Sequence, residues 1–411
     1  MHALEVSQCA SAAQGWVPQH LSIHWNGQCY GYVPLYLKGN SMGEFIFDNE
    51  WAQAAYQNNI DYYPKLLVAV PFTPVSGCRI LWHPTIYQNY NDAELAELRV
   101  CVGTFLKQSA RANQLSSVHF NFVSDQEATD LSQSALLGDD SNDKKDNSIR
   151  RLLPSLFGSS VTKDDYLRRT SLQYHWKNAN PNNNDQPYES FDEYLSCFKS
   201  KRRINIRRER RKVLEDEKIV IQAVTGREIL QVDGLVERMF EIYLSTIDKM
   251  YWGRQYLTLD FFLKLAASDF IDNLCFMCAR YESSGKELHA RDVFAGTFNV
   301  LGDGVFYGRY WGCLAGAEVK NLHFETCYWS AIDYCIANGF KRMEPGAGGG
   351  DYKWARGFDP ALIHSVHYIC HFGLRRAVSQ FLDYETENNV ELTEYLLEKS
   401  AVGSKAATDK Q

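Results

Sequence analysis

The sequence predicts an α/β (α+β) protein built from two copies of one mixed unit. One observation is an internal echo. Each half gives a strand meander, a helix with an aromatic–alanine face, and a strand after that helix. The first copy includes "NEWAQAAYQNNIDYYPKLLVAVPF" and the second "ETCYWSAIDYCIANGFKRMEPGAG". A second observation is size. The 411 residues, 45% hydrophobic and 13% aromatic, favour two to three domains with sizeable cores. The third is that apolar runs of strand length alternate with segments of helical period along the chain.

Taken in order, residues 16–36 read as two strands around an Asn26-Gly27 hairpin turn. "GEFIFD" follows, then "NEWAQAAYQNNI" as a short helix with Asn49 as N-cap. "KLLVAVPF" is short enough for a buried strand. "DAELAELRVCVGTFLKQSARAN" is an amphipathic helix and "SSVHFNFV" another strand. Residues 124–165 turn polar and aperiodic, which predicts a mobile, disordered insertion. "SLQYHWKN" resumes strand character, and 191–217 is helical and basic. "KIVIQAV" is a strand, followed by helices in "GLVERMFEIYLSTIDKM" and "LDFFLKLAASD". "NLCFMCARY", "DVFAGTFNVL" and "GVFYGRYWG" form antiparallel strands. "NLHFETCYWSAIDYCIANG" is a helix stopped by Gly339, and "FKRMEPG" is the last strand. The expected domains are 1–190 with the insertion 124–165, a basic segment 191–217, a second domain 218–385, and a tail 386–411.

Composition narrows the function. A net charge of -7 excludes a chain that binds polyanions over its whole surface. Eleven scattered cysteines imply free thiols in a reducing compartment, with Cys275 and Cys278 as core thiols. No apolar run approaches the roughly 18–20 residues of a membrane helix. The N-terminal stretch lacks a basic and then apolar leader pattern, so no secretory signal and a cytoplasmic location are expected.

Four stretches hold candidate chemistry. "EPGAGGGDYKWARGF" (344–358) packs four glycines into five residues, with Lys353 and Arg356 beyond. It fails the Walker pattern, because no Ser or Thr follows Lys353. A dinucleotide fingerprint fails at Asp351, and Pro360 argues against an early helix. Two readings remain: a wide turn, or backbone that closely approaches a ligand. "KSKRRINIRRERRK" (199–212) carries nine basic residues in fourteen. On a helix Lys199, Arg203, Arg207 and Arg210 share a face. That face is either solvated or a site for phosphate or RNA backbone. In "YGRYWG" and "NLHFETCYW", Arg309, His323 and Glu325 stand among aromatics. His323 and Glu325 serve acid–base roles or form a buried pair, and on a continuous helix they would diverge. A helix would align His364, His367 and His371 beside Cys370, but no H-E-x-x-H is present and no metal site is expected. No G-x-S-x-G nucleophile elbow occurs.

Long blocks resemble the bacterial proteins labelled peptidoglycan biosynthesis/recognition. These are relatives of the Fem-type aminoacyl transferases in the GNAT acyltransferase superfamily. The blocks include "GYVPLYLKGNSMGEFIFDNEWA", "QYHWKN", "SKRRINIRRERRKV", "LHFETCYWSAIDYCIANG" and "EPGAGGGDYKWARGFDPALIHSVH", spanning about Leu4 to Glu385. The resemblance implies two tandem GNAT-like domains with mixed sheets flanked by helices. Fem-type enzymes join an amino acid carried on tRNA to the amine of a peptidoglycan stem peptide. Their basic "R-x-x-I-R-K" segment matches Arg203, Ile206, Arg207 and Arg208, and their late lysine matches Lys353. The chain departs from the GNAT pyrophosphate turn, since "GCLAGAEVKNLHF" lacks the Q/R-x-x-G-x-G/A spacing. It also reads "GAGGGDYK" where family members read "GAQGEHK".

The resulting expectation is a Fem-like, GNAT-type acyl or aminoacyl transferase acting on an amine, such as that of a peptidoglycan precursor. Its co-substrate is aminoacyl-tRNA or acyl-CoA. Lys353, Glu344 and Glu325 are the catalytic candidates. Arg203, Arg207, Arg309, His323, Gly346, Gly348, Gly349 and Arg356 are the substrate-binding candidates. One alternative is a non-catalytic protein that recognises a phosphorylated glycan or RNA, and another is an acetyl-CoA-dependent N-acetyltransferase. Only an enzyme requires the glycine loop, Lys353 and a carboxylate to converge.

Overall fold

The computed structural model describes residues 1–132, 166–249, 254–348 and 350–402. In chain order its strands are β1 (Trp16–Pro18), β2 (Leu21–Trp25), β3 (Gln28–Val33), β4 (Leu35–Lys38), β5 (Lys65–Val68), β6 (Leu81–Trp82), β7 (Ser117–Val123), β8 (Leu167–Lys177), β9 (Ile219–Thr225), β10 (Leu274–Tyr281), β11 (Ala295–Gly302), β12 (Val305–Cys313), β13 (Arg342–Glu344) and β14 (Asp359–Ile369). The helices are α1 (His2–Val6), α2 (Asn49–Gln57), α3 (Pro84–Asn89), α4 (Asp92–Ala112), α5 (Asp125–Ser132), α6 (Phe191–Ser196), α7 (Ser200–Arg211), α8 (Leu235–Lys249), α9 (Leu259–Ala266), α10 (Leu322–Phe324), α11 (Ser330–Ala337), α12 (Gly350–Trp354) and α13 (Phe372–Glu398). Among the described residues no helix is long and apolar enough to cross a membrane.

The chain divides into two compact mixed α/β units. One comprises Ala10–Leu172 with Leu362–Leu392; the other comprises His2–Cys9, Gln173–Ala361 and the chain from Thr393 on. The chain leaves the first unit within β8 and returns to it within β14. The sequence reading placed 173–190 with the first half and 362–385 with the second; both stretches pack the other way. The expected tail from 386 continues α13 to Glu398.

In the first unit the strand order is β1-β4-β5-β7-β14, and β5 and β7 run parallel through the α3–α4 connection. The Asn26-Gly27 turn joins β2 to β3, with both residues at positive φ. A capping box starts α4. The Asn91 side chain accepts from the Glu94 N–H at 3.1 Å, and the Glu94 carboxylate accepts from the Asn91 N–H at 2.8 Å. The apolar face of α4 (Leu95, Val102, Leu106) packs on Val68, Val118, Phe120, Val366 and Tyr368. The opposite face of the same strands carries buried polar residues, Lys65, Ser117, His119, Asn121, Ser365 and His367. Lys65, 0% exposed, donates to Asp48 at 2.6 Å and Glu44 at 2.9 Å. Asp48 precedes α2 and is committed to Lys65, so neither it nor Asn49 caps that helix with its side chain. The stretch expected to be aperiodic from 124 opens as helix α5. The Glu127 carboxylate accepts from the backbone N–H of Arg79 at 2.8 Å and of Ile80 at 2.9 Å. The rest of that expected insertion, 133–165, lies outside the described residues.

β14 also corrects the reading of the histidine stretch. His364 and His367 lie on a strand, and three positions along a strand is a change of face. His367 Nδ1 is buried 2.6 Å from His119 Nδ1, while His364 bonds Arg168. His371 accepts from the Leu374 N–H at the start of α13. Among the described residues no group of three or more His, Cys, Asp or Glu side chains could hold a metal ion.

In the second unit the order is β8-β13-β12-β11-β10-β9. β12 and β13 run parallel, and the other pairs are antiparallel. A helical segment joins them: α10, a π turn at Glu325–Trp329, then α11. Gly339 ends it at φ +69, and the Phe340 N–H donates back to Cys335 O at 2.9 Å. Trp176, Phe306, Trp329, Ile332 and Met343 form the core beneath this connection. Cys275 and Cys278 are buried in β10.

The buried imidazoles give a stability prediction. Burial lowers His119 from 6.5 to about 3 and His367 well below 6.5. The unfolded chain therefore binds more protons below about 6.5, and stability present above that pH is lost as pH falls toward 3. Urea unfolding between about pH 7 and pH 5 will show stability falling by up to roughly 1.4 kcal/mol per pH unit per imidazole. A His367→Asn variant will show a shallower slope; an unchanged slope would show that the pair does not titrate on unfolding.

Candidate active site

β12 and β13 pair for three residues: Val305 with Arg342, Phe306 with Met343, and Tyr307 with Glu344. β12 then continues to Cys313, while the neighbouring chain leaves the sheet at Pro345, which has no N–H to donate. Gly346 turns the chain away at φ +86. A register shift between Phe298 and Asn299 pairs Phe298 with Tyr310 and Asn299 with Gly308, leaving Arg309 as the extra residue of a bulge. A cavity of about 130 Å³ opens where the strands part. Gly308, Arg309, Tyr310 and Trp311 line one side, Pro345, Ala347 and Lys353 another. Gly308 lets the loop approach closely, since a Cβ would lie 3.3 Å from Pro345 Cα and crowd it.

α12 folds the chain back after the glycine loop and turns Lys353 inward. The sequence reading disfavoured a helix this close to the loop; α12 is one short turn and ends before Pro360. Lys353 is 2% exposed, and its Nζ donates to Gly346 O at 2.6 Å. No carboxylate pairs with it among the described residues, and burial pushes its ammonium down to about 8. His323 also lines the cavity, packed edge-on against Trp311 and Tyr328. Burial and the charges of Arg356 and Lys353 lower it to about 4, so it is neutral at pH 7. Glu344, at the last paired position of β13, is 4% exposed. Its Oε1 accepts from Arg342 Nη2 at 2.7 Å, and its Oε2 has no hydrogen-bond partner among the described residues. Burial raises this carboxyl above its usual range. A buried amine and a loop carbonyl thus meet in the cavity, while Glu344, one residue before the lining Pro345, is not itself part of its wall.

Residues 1–402 match the FemAB-like family, described as peptidoglycan biosynthesis/recognition. The chain belongs to that family. No curated protein matches the sequence. Among solved structures, similarity is found to L-PGS of Bacillus licheniformis at 8% identity, covering 93% of this chain and 95% of that one, with a TM-score of 0.45. FemX is similar at 11% identity, 91% and 93% coverage, and a TM-score of 0.44. The C-terminal domain of a putative lysylphosphatidylglycerol synthetase of Agrobacterium fabrum is similar at 7% identity, 94% and 96% coverage, and a TM-score of 0.46.

In this FemAB-like chain the remaining candidates lie in the cavity, beside it or away from it. Arg309, His323 and the Gly346 carbonyl belong to the cavity or its rim. Gly348 turns the loop at φ +79, and Gly349 lies outside the described residues. Arg356, 5% exposed, lies beside the cavity: its guanidinium stacks 3.5 Å from the Phe324 ring and donates to Tyr352 O. Glu325 does not line the cavity. Two residues along the helical segment from His323, it points the other way, where Oε1 accepts from Arg210 Nε at 3.1 Å and Ser330 Oγ at 2.8 Å. It anchors the basic helix and is a poor base. Arg203 donates to Ser196 O and Phe198 O, satisfying carbonyls at the end of α6. Arg207 reaches Asp192 at 3.3 Å and lines a separate groove of about 760 Å³ with Arg208, Arg210 and Arg211. That groove and the Lys353 cavity share no lining residue.

The sequence reading missed Tyr328, Tyr352, Thr297 and Asn299, which complete the cavity wall. The Arg309 bulge reorders side chains that the strand period assigns otherwise. Breaking the buried Arg210–Glu325 pair will cost stability: Glu325→Ala should lose roughly 3 kcal/mol in chemical denaturation. A change within experimental error would show that Glu325 is not a structural anchor.

Proposed function

We propose that this FemAB-like transferase joins an aminoacyl group carried on tRNA to the amine of a peptidoglycan precursor, at the Lys353 cavity. The observation that supports this best is the buried Lys353 amine beside the parted strands, with Glu344 at the last paired residue. In the reaction the acceptor nitrogen attacks the ester carbonyl and a C–N bond forms. The carbonyl oxygen gains negative charge, and the Lys353 ammonium donates to it. The amine proton passes to Glu344. It is returned to the leaving hydroxyl oxygen as the C–O bond breaks. Arg309 and His323 fix the acyl group in the cavity. Both substrates belong to the cytoplasm.

Acyl-CoA is the weaker donor. The helix after β12 begins with only three α-helical residues before the π turn, and its first residue follows Asn321 at φ +72. That start offers no regular row of N–H groups for a pyrophosphate. The exposed cations of the separate groove, Arg207, Arg208 and Arg211, suit the phosphates of the RNA donor. A non-catalytic RNA-binding protein would need the groove alone, so the two readings part at Lys353.

The decisive experiment incubates the protein with radiolabelled aminoacyl-tRNA and UDP-linked muropeptides and follows amide formation. Lys353→Met should lower kcat by about 10²–10³-fold with RNA affinity intact. No transfer by the wild-type chain with any aminoacyl-tRNA would sink the enzyme reading. Because Lys353 must be protonated to stabilise the oxyanion, kcat should fall as pH rises through about 8. A rise through that pH would assign the lysine as a base instead. Replacing Arg207, Arg208 and Arg211 by alanine should weaken RNA binding, and the log K against log salt slope should shrink by about 0.7–0.9 for each lost phosphate contact.

A further inference from the structure

We propose that His175 is the positioning residue for Glu344, supplying the hydrogen bond that Oε2 takes up when the carboxyl ionises. The inference rests on the reading of Glu344 as the base. It starts from strand register. β8 lies beside β13 with Lys177 opposite Arg342 and Trp176 opposite Met343. The same register sets His175 opposite Glu344. His175 Nε2 lies 3.8 Å from Glu344 Oε2, too far for a hydrogen bond but within reach of a small side-chain rotation. Among the described residues that nitrogen's other polar contact is long, 3.4 Å to Gln173 Oε1.

Oε1 is held by Arg342, so the empty lone pairs are on Oε2. A buried carboxylate oxygen without a donor carries the full cost of desolvation. His175 is buried and stays neutral, because burial and the cations of Arg342, Lys353 and Lys177 oppose its protonation. A neutral imidazole N–H stabilises the ionised carboxyl without locking it in an ion pair. The base can then take and return a proton in each cycle. The other groups facing Glu344 are Arg342 on its own strand and Tyr307 and Arg309 on β12, while Lys177 on β8 and Lys353 on α12 act on His175. All of them remain when His175 is replaced, so a change in Glu344 titration belongs to the imidazole.

The test needs no substrate. The full chain is labelled with carboxyl-¹³C glutamate, the Glu344 signal is assigned by its loss in Glu344→Gln, and its titration is followed by NMR. His175→Phe should raise the Glu344 midpoint by about one pH unit, whereas His175→Gln, which keeps a donor near Nε2, should stay near wild type. An unchanged midpoint in His175→Phe overturns the inference. Should that variant not fold, the wild-type chain suffices: the His175 Nε2 proton must shift over the pH range in which Glu344 ionises, and a resonance indifferent to that range overturns it equally. Full transfer activity in Glu344→Gln would instead defeat the base reading. With the base reading intact, the acid limb of kcat moves with the NMR midpoint.

Discussion

Two parallel strands that stop pairing while one of them continues create the space on which everything in the second unit depends. β12 and β13 share three residue pairs, and beyond Tyr307 and Glu344 no ladder holds them together. Pro345 ends one strand chemically, because it cannot donate. The bulge at Arg309 bends the other. The wedge between them collects backbone and side-chain polar groups that the sheet leaves unpaired. The glycine loop lies against β12 at Gly308, and α12 brings Lys353 back into the wedge. Remove the parting and the amine has nothing to face.

The first unit repeats the same succession and closes the same gap. β5 and β7 also run parallel and also pair for three residues, Leu66–Val68 with Val118–Phe120. Past that point the chain bulges out and returns, and Gly77 pairs with Val123. Arg79 fills the gap: Nε donates to Asn121 O at 3.0 Å, Nη1 to Gly77 O at 3.2 Å, and Nη2 to Val75 O at 2.6 Å. One buried guanidinium thus satisfies the carbonyls that an open wedge would leave for a ligand. The echo in the sequence is an echo of architecture, and only the second copy keeps its wedge open.

This explains what the sequence could reveal. Helix α4 was readable because its capping box and its apolar period agree, and the Asn26-Gly27 hairpin because its turn demands positive φ. The second-unit strands were readable because they are apolar and bounded by turns. Glu325 was misjudged although the helical period already separates it from His323 by about 200°, so it faces Arg210 while His323 faces the cavity. Arg203 was misjudged because composition does not distinguish a guanidinium in solvent from one capping the carbonyls of Ser196 and Phe198. His175 carried no motif. Its relation to Glu344 exists only through the pairing of β8 with β13, strands separated by most of the second unit.

Two buried lysines show how one side chain takes opposite roles. Lys65 in the first unit is fully buried and contacts both Asp48 and Glu44, so its ammonium is held above its usual range despite burial. Its charge is cancelled locally, and it acts as a fixed strut beneath Tyr62 and His119. Lys353 is nearly as buried but meets one carbonyl oxygen, with the histidines around it neutral. Burial without a counter-charge lowers its proton affinity and leaves its field directed into the cavity. An oxyanion forming there would be the counter-charge the protein itself withholds. A resident carboxylate at that place would bind the ammonium in the ground state and remove the advantage gained in the transition state. The absence of a carboxylate paired with Lys353 among the described residues, in a chain with acids buried at other positions, is therefore the feature most closely tied to its chemistry.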